Sequence, residues 1–101
     1  MRASPWRKTM SLYLKDPDAT VDYAIDWAPD LGGRTIVASA WSVTPAEAGG
    51  AAVADASFES ARTAARVGGG IVGHAYSLAN HVTLSDGSSD DRSLALRVEH
   101  R

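Results

Sequence analysis

The 101-residue sequence contains no cysteine. That absence excludes a disulfide framework and a thiolate zinc site, and it permits a reducing compartment. No apolar run approaches the roughly 18 residues of a membrane span, and the N-terminus lacks the apolar core of a signal peptide. The expectation is a soluble chain with no membrane partner, not exported by the usual route. A formal charge of -2 is too near neutral for a general nucleic-acid binder.

Motifs that carry chemistry are also missing. The glycine runs have no Gly-Lys-Ser/Thr end and no following helix, so they do not make a phosphate loop. No nucleophile elbow frames a serine, and without one the presence of serine, histidine and aspartate means nothing. Asp16, Asp18, Asp86, Asp90 and Asp91 fall in predicted loops but lack calcium-loop spacing, so hydrated loop charge is the favoured reading. His74, His81 and His100 are not paired at metal spacing; His81, on the outer face of its strand, is positioned to meet a partner. The expected sets of catalytic, metal and cofactor-binding residues are therefore empty, and no enzyme and no cofactor are expected.

What the chain does contain is a period of two. Gly68 to Ser85 turns at its glycines and then alternates, with Tyr76, Leu78, Val82 and Leu84 on one parity and Asn80 as the one polar residue among them. Gly-x-x-Tyr at the entry of such a strand predicts a tyrosine corner, in which the hydroxyl bonds back to the backbone a few residues upstream. Val21, Tyr23, Ile25 and Trp27 form an apolar face opposite Asp22, Ala24 and Asp26. Pro29 to Gly33 is a predicted turn.

Thr35 to Val43 predicts a strand with Val37, Trp41 and Val43 on one face and Ile36, Ala38 and Ala40 on the other; Trp41 is the candidate central indole. The alanine-rich Ala46 to Ala65 window has helix propensity, but Gly49-Gly50 sits inside it, so short strands near Val53–Phe58 and Thr63–Val67 are preferred. Ser11 to Lys15 alternates around Leu12 and Leu14. Asp86-Gly87 between two alternating runs predicts a hairpin leading to a last strand over Arg92 to His100.

Six or seven short strands without a convincing helix predict an all-β fold, an immunoglobulin-like β-sandwich of about seven antiparallel strands. The length fits one domain, read as residues 11–101, preceded by residues 1–10 as a flexible N-terminal arm. The candidate structural core is Tyr23, Ile25, Trp27, Trp41, Tyr76, Leu78, Val82, Leu94, Leu96 and Val98. Trp6, in the basic arm, and His81 are the candidate partner contacts.

Several segments in order also resemble a known family. They are Lys15-Asp16-Pro17-Asp18, Asp22-Tyr23-Ala24-Ile25-Asp26-Trp27, Leu31-Gly32-Gly33, Ser39-Ala40-Trp41-Ser42-Val43, Gly69-Gly70 through Gly73 to Tyr76 with Asn80, and Asp91-Arg92-Ser93-Leu94-Ala95-Leu96-Arg97-Val98. Together they are similar to the phage fiber-tail adaptor proteins, small virion structural proteins of tailed bacteriophages and prophages. The chain departs from that pattern at Arg34, where an acidic residue is usual, in the alanine-rich Pro45 to Ala56 region, and in the basic extension before Met10.

The resemblance implies a late, non-enzymatic structural protein of the bacteriophage virion, assembled in the bacterial host cytoplasm. Its implied role is an adaptor in the tail or neck region, with other phage structural proteins of tail, neck or capsid as partners and a homo-oligomeric state in the particle. A capsid decoration protein of the same fold is the alternative. A carbohydrate-binding module is a further one, disfavoured because Tyr23 and Trp27 share the face of Ile25 and belong to the core.

Overall fold

A computed structural model describes residues 11–100. Its strands are β1 (Ser11–Lys15), β2 (Val21–Asp26), β3 (Ile36–Thr44), β4 (Ala52–Phe58), β5 (Arg62–Gly68), β6 (Ala75–Leu84) and β7 (Ser89–Val98). They form a four-stranded sheet in the order β1-β7-β6-β3 and a three-stranded sheet in the order β2-β5-β4. The pairings of β2, β3, β4 and β6 are antiparallel, whereas β1 runs parallel to β7. This is the arrangement of an immunoglobulin-like sandwich.

The alternating sequences explain the layers. Along β6, Tyr76, Leu78, Asn80, Val82 and Leu84 are buried, and along β7 Leu94, Leu96 and Val98 are buried. Across from them β2 contributes Tyr23 and Ile25, followed by Trp27 just beyond its end, and β5 contributes Thr63, Ala65 and Val67. Each large apolar side chain removed from water in this way contributes roughly 1.5–3 kcal/mol. Two clusters result: Tyr23, Tyr76, Leu78, Leu96 and Val98 pack with Val67 in one, and Ile25, Trp27, Leu31 and Ile36 pack with Val82 and Leu84 in the other. Trp41 packs against both.

The structure corrects four details. Trp27, at 1% exposure, is the central indole, while Trp41 is half-buried. A bulge between Ile36 and Ala38 shifts the phase at the start of β3 alone, so that Ile36 is buried and Val37 is 54% exposed while Trp41 and Val43 keep the inward face. An extra residue in one strand shifts side-chain parity, which an unbroken alternation does not reveal. Ala28–Leu31 is one helical turn, α1, closed by Gly32 in the left-handed region at φ 56°. In β1 the alternation is real but Leu12 and Leu14 face solvent, because Tyr13 and Lys15 take the inward register opposite Leu96 and Val98.

The alanine-rich stretch is strand, as β4 and β5, with Gly68 ending β5. Gly69 and Gly70 then turn at φ 76° and 113°. A Cβ on Gly70 would stand 2.6 Å from Val98 Cγ2, so this corner accepts no side chain. The expected hairpin joins β6 to β7 through Ser85–Ser88, and the last strand begins three residues earlier than expected, at Ser89, and ends at Val98.

Candidate functional site

A buried polar network holds the two sheets in register. The Trp27 indole N–H donates to Thr63 Oγ1 and to Asn80 Oδ1, both at 3.1 Å, and the Thr63 hydroxyl donates to Asn80 Oδ1 at 2.7 Å. Asn80 Nδ2 in turn donates to Ser39 Oγ at 2.9 Å and to the Ala40 carbonyl at 3.2 Å. Asn80 stands on the apolar parity because its amide satisfies groups from three other segments at once. Outside the indole, the Arg92 guanidinium lies 5.0 Å from the ring centroid and bonds the Asp26 carbonyl and the Asp30 carboxylate.

The tyrosine corner forms at the other end. The Ile71 N–H donates to the Tyr76 hydroxyl at 3.1 Å, five residues upstream. That hydroxyl donates to the Glu47 carboxylate, which also lies 3.0 Å from His74 Nδ1. The Tyr76 hydrogen bond, then His74, hold the Glu47 carboxyl below its ordinary pKa. Burial, reinforced by Glu47, pushes the Tyr76 phenol up.

Lys15 is buried, with Nζ donating to the Asp16 carbonyl at 3.0 Å and to the Gly69 carbonyl at 2.6 Å. Burial lowers its pKa against the opposing pull of Asp16 and Asp18. Asp16, Asp18 and His100 bring one ligand atom each to within 4.8 Å of one another. Within that cluster, Asp16 Oδ1 already accepts the Asp18 N–H at 2.8 Å and fixes the turn around Pro17. Asp86 and Asp90 likewise accept the N–H groups of Ser88 and Asp91. Asp16, Asp18 and Asp86 stand in turns as expected, whereas Asp90 and Asp91 lie in β7; the three histidines fall at different places, His100 beside Asp16 and Asp18, His81 beside Asp91 and His74 beside Glu47.

The outer surfaces are the remaining candidates. On the four-stranded sheet, His81 Nδ1 lies 2.7 Å from the Asp91 carboxylate, with both side chains exposed. On the three-stranded sheet a shallow groove of about 430 Å³ is lined by Asp22, Ala24, Arg62, Ala64 and Arg66 among others. Arg66 Nε donates to Asp22 Oδ1 at 2.9 Å, and that bond lowers the Asp22 pKa. Trp6 lies outside the described residues.

The four strands at sheet edges differ in how they are guarded. Asp22 and Asp26 on β2 and Asp55 on β4 are exposed charges, whereas Lys15, the one charge of β1, is buried. β3 has nine residues, Ile-Val-Ala-Ser-Ala-Trp-Ser-Val-Thr, and no charge. Between β3 and β4 runs a cavity of about 260 Å³ lined by Trp41, Val43, Glu47, Ala51 and Val53 among others. Among the described residues, the buried Trp41 indole N–H has no hydrogen-bond partner. Sequence parity placed Trp41 inward, but no sequence signal marked its N–H as unsatisfied, since that depends on what stands across the seam.

Residues 15–97 match the family model described as Podophage GP4 fiber-tail adaptor protein gp77. No curated protein matches the chain. Among solved structures it is similar to the solution structure of the PKD domain from KIAA 1837 protein, at 13% identity and a TM-score of 0.49, over 91% of this chain and 81% of that one.

Proposed function

This chain belongs to the podophage GP4 fiber-tail adaptor family, and on that premise we propose that it is a non-enzymatic structural protein of a bacteriophage particle. It sits in the tail or neck region and links particle components by protein-protein contacts. The observation that carries this reading is the family match over residues 15–97.

The physical character of the domain supports it. Arg34, Arg66, Arg92 and Arg97 are each paired with a carboxylate of the same chain, which favours protein partners over nucleic acid. Buried polar groups lock one rigid shape, and a rigid sandwich presents sheet edges and end loops that other chains can engage. Symmetry in a particle multiplies modest contacts, so each copy need not bind tightly alone. His81 on the sheet face and Trp6 in the arm are the proposed partner contacts.

The test is to delete the gene from the phage or prophage that encodes it and to examine the particles. Complementation with the wild-type chain, located by labelled antibody in electron micrographs, is expected to restore fibre-bearing tails with label at the tail or neck. Normal infectious particles without the chain, or label over the head lattice, would overturn the adaptor assignment.

A further inference from the structure

We propose that Trp6 of one copy seats in the β3–β4 cavity of the next, joining copies of this chain head to tail. This rests on the reading of Trp6 as a partner contact and gives that residue a receptor. The cavity, about 260 Å³, falls below the roughly 300–1,000 Å³ of small-molecule sites and suits one large side chain. Trp41, Val43, Ala46, Ala51 and Val53 give it an apolar wall.

Charge selects the first ten residues as the source of the side chain that fills it. They carry Arg2, Arg7 and Lys8 with no acid, whereas all twelve acidic residues fall within residues 11–100. Among the described residues, Glu47 is the one charged residue lining the cavity. Tyr76 and His74 both bond its Oε2, which leaves Oε1 for a cation. Trp6 is the one aromatic among those ten residues and stands next to Arg7 and Lys8, so ring and charge arrive together.

Reach decides which copy receives it. Trp6 is five residues before Ser11, at most about 17 Å of extended chain. β1 and β3 are opposite edges of their sheet. The cavity of the same molecule therefore lies three strand spacings away, about 14 Å, and about 5 Å further down into the roughly 10 Å between the sheets. A path around the sheet exceeds that reach, whereas a neighbour set edge to edge brings its cavity within it. Among the described residues, the exposed large apolar side chains other than Val72 are Leu12, Tyr13 and Leu14 on β1 and Val37 and Phe58 on β3 and β4. Two unlike patches on opposite edges fit a heterologous contact, which closes into a ring or continues as a chain.

The experiment uses the purified full chain, so a failed tail or neck location would not touch it. Sedimentation is expected to show self-association past the dimer, with a contact Kd between about 1 μM and 1 mM. Trp6→Ala removes the plug, and Ala52→Arg, at an exposed position lining the cavity, sets a like charge against Arg7 and Lys8. Each variant alone should weaken association at least about tenfold. In a mixture, Trp6 of the Ala52→Arg chain enters the intact cavity of the Trp6→Ala chain, and the two should form one-to-one dimers and stop there. The amide resonances of Val43, Ala46 and Val53 should then shift in the Trp6→Ala chain and not in its partner. Formation of that pair also shows that both variants remain folded. A chain that is monomeric at every concentration, association that survives Trp6→Ala, or a mixture that stays monomeric overturns the proposal. A Trp6 that engages only another particle protein would overturn it too, and would leave the adaptor reading standing.

Discussion

Two indoles in this sandwich have opposite fates. Trp27 stands inside the closed end of the molecule, where Thr63 and Asn80 both accept its N–H and Arg92 covers the ring. Trp41 stands at the seam between β3 and β4, half-buried, with its N–H out of water and unbonded. Both lie on inward-facing parity and both pack against the same second cluster. Apolar burial is therefore not what separates them. The difference is whether the polar end of the ring is completed, as it is at Trp27 and, among the described residues, is not at Trp41. The lesson is that two side chains of like parity and packing can still differ in whether their buried polar atoms are satisfied.

The largest effect that tests this contrast is at Trp27. Trp27→Ala should lose about 3–5 kcal/mol in urea unfolding, because it removes a fully buried indole and leaves a cavity. Trp27→Phe keeps most of the ring but strips a donor from Thr63 and Asn80, and should still lose about 1–3 kcal/mol. If Trp27→Phe unfolds at the same urea concentration as the parent, the polar network is not what holds the two sheets, and the contrast between the indoles collapses.

Next in size is the corner beside the seam. Tyr76→Phe should lose about 1 kcal/mol by freeing the Ile71 N–H and the Glu47 carboxylate. The pH dependence sharpens it. Glu47 has a folded-state pKa depressed below 4.5 by Tyr76 and then His74, so its contribution is present above about pH 4.5 and is lost as pH falls through the folded value. In Tyr76→Phe the first of those causes is gone, and the stability curve should be flatter below pH 4.5 than in the parent. Parallel curves for the two proteins would detach Glu47 from the corner.

Much of this was legible beforehand, and the failures have physical causes. The parity of β2, β6 and β7 survived because those strands are regular and half-buried, and the tyrosine corner was visible in Gly-x-x-Tyr. Asn80 was conspicuous as a polar residue on an apolar face, although its partners Thr63 and Ser39 come from strands distant in sequence. The bulge at Val37 was hidden because a small uncharged strand reads the same in either phase. Lys15 was opaque for a different reason: a buried lysine needs carbonyls such as that of Gly69, which lies 54 positions away in the chain. The family itself was readable in ordered segments such as Lys15-Asp16-Pro17-Asp18 and Ser39-Ala40-Trp41-Ser42-Val43. The surfaces that meet partners were not, because surface composition is constrained by molecules absent from this sequence.

The smallest expected effect closes the comparison. Trp41→Phe deletes a donor that has no acceptor, so it relieves the desolvation cost of an unsatisfied buried group while giving up part of the ring's packing against both clusters. These terms are of similar size, about 1–3 kcal/mol each, and oppose one another. Measured in urea at a concentration where the chain is monomeric, the variant should stay within about 0.5 kcal/mol of the parent, the range typical of substitutions that break no specific feature. The same change of residue thus costs stability at Trp27 and almost none at Trp41. A loss at Trp41 equal to that at Trp27 would mean that its N–H finds an acceptor in the folded chain, and the contrast between the two indoles would fall.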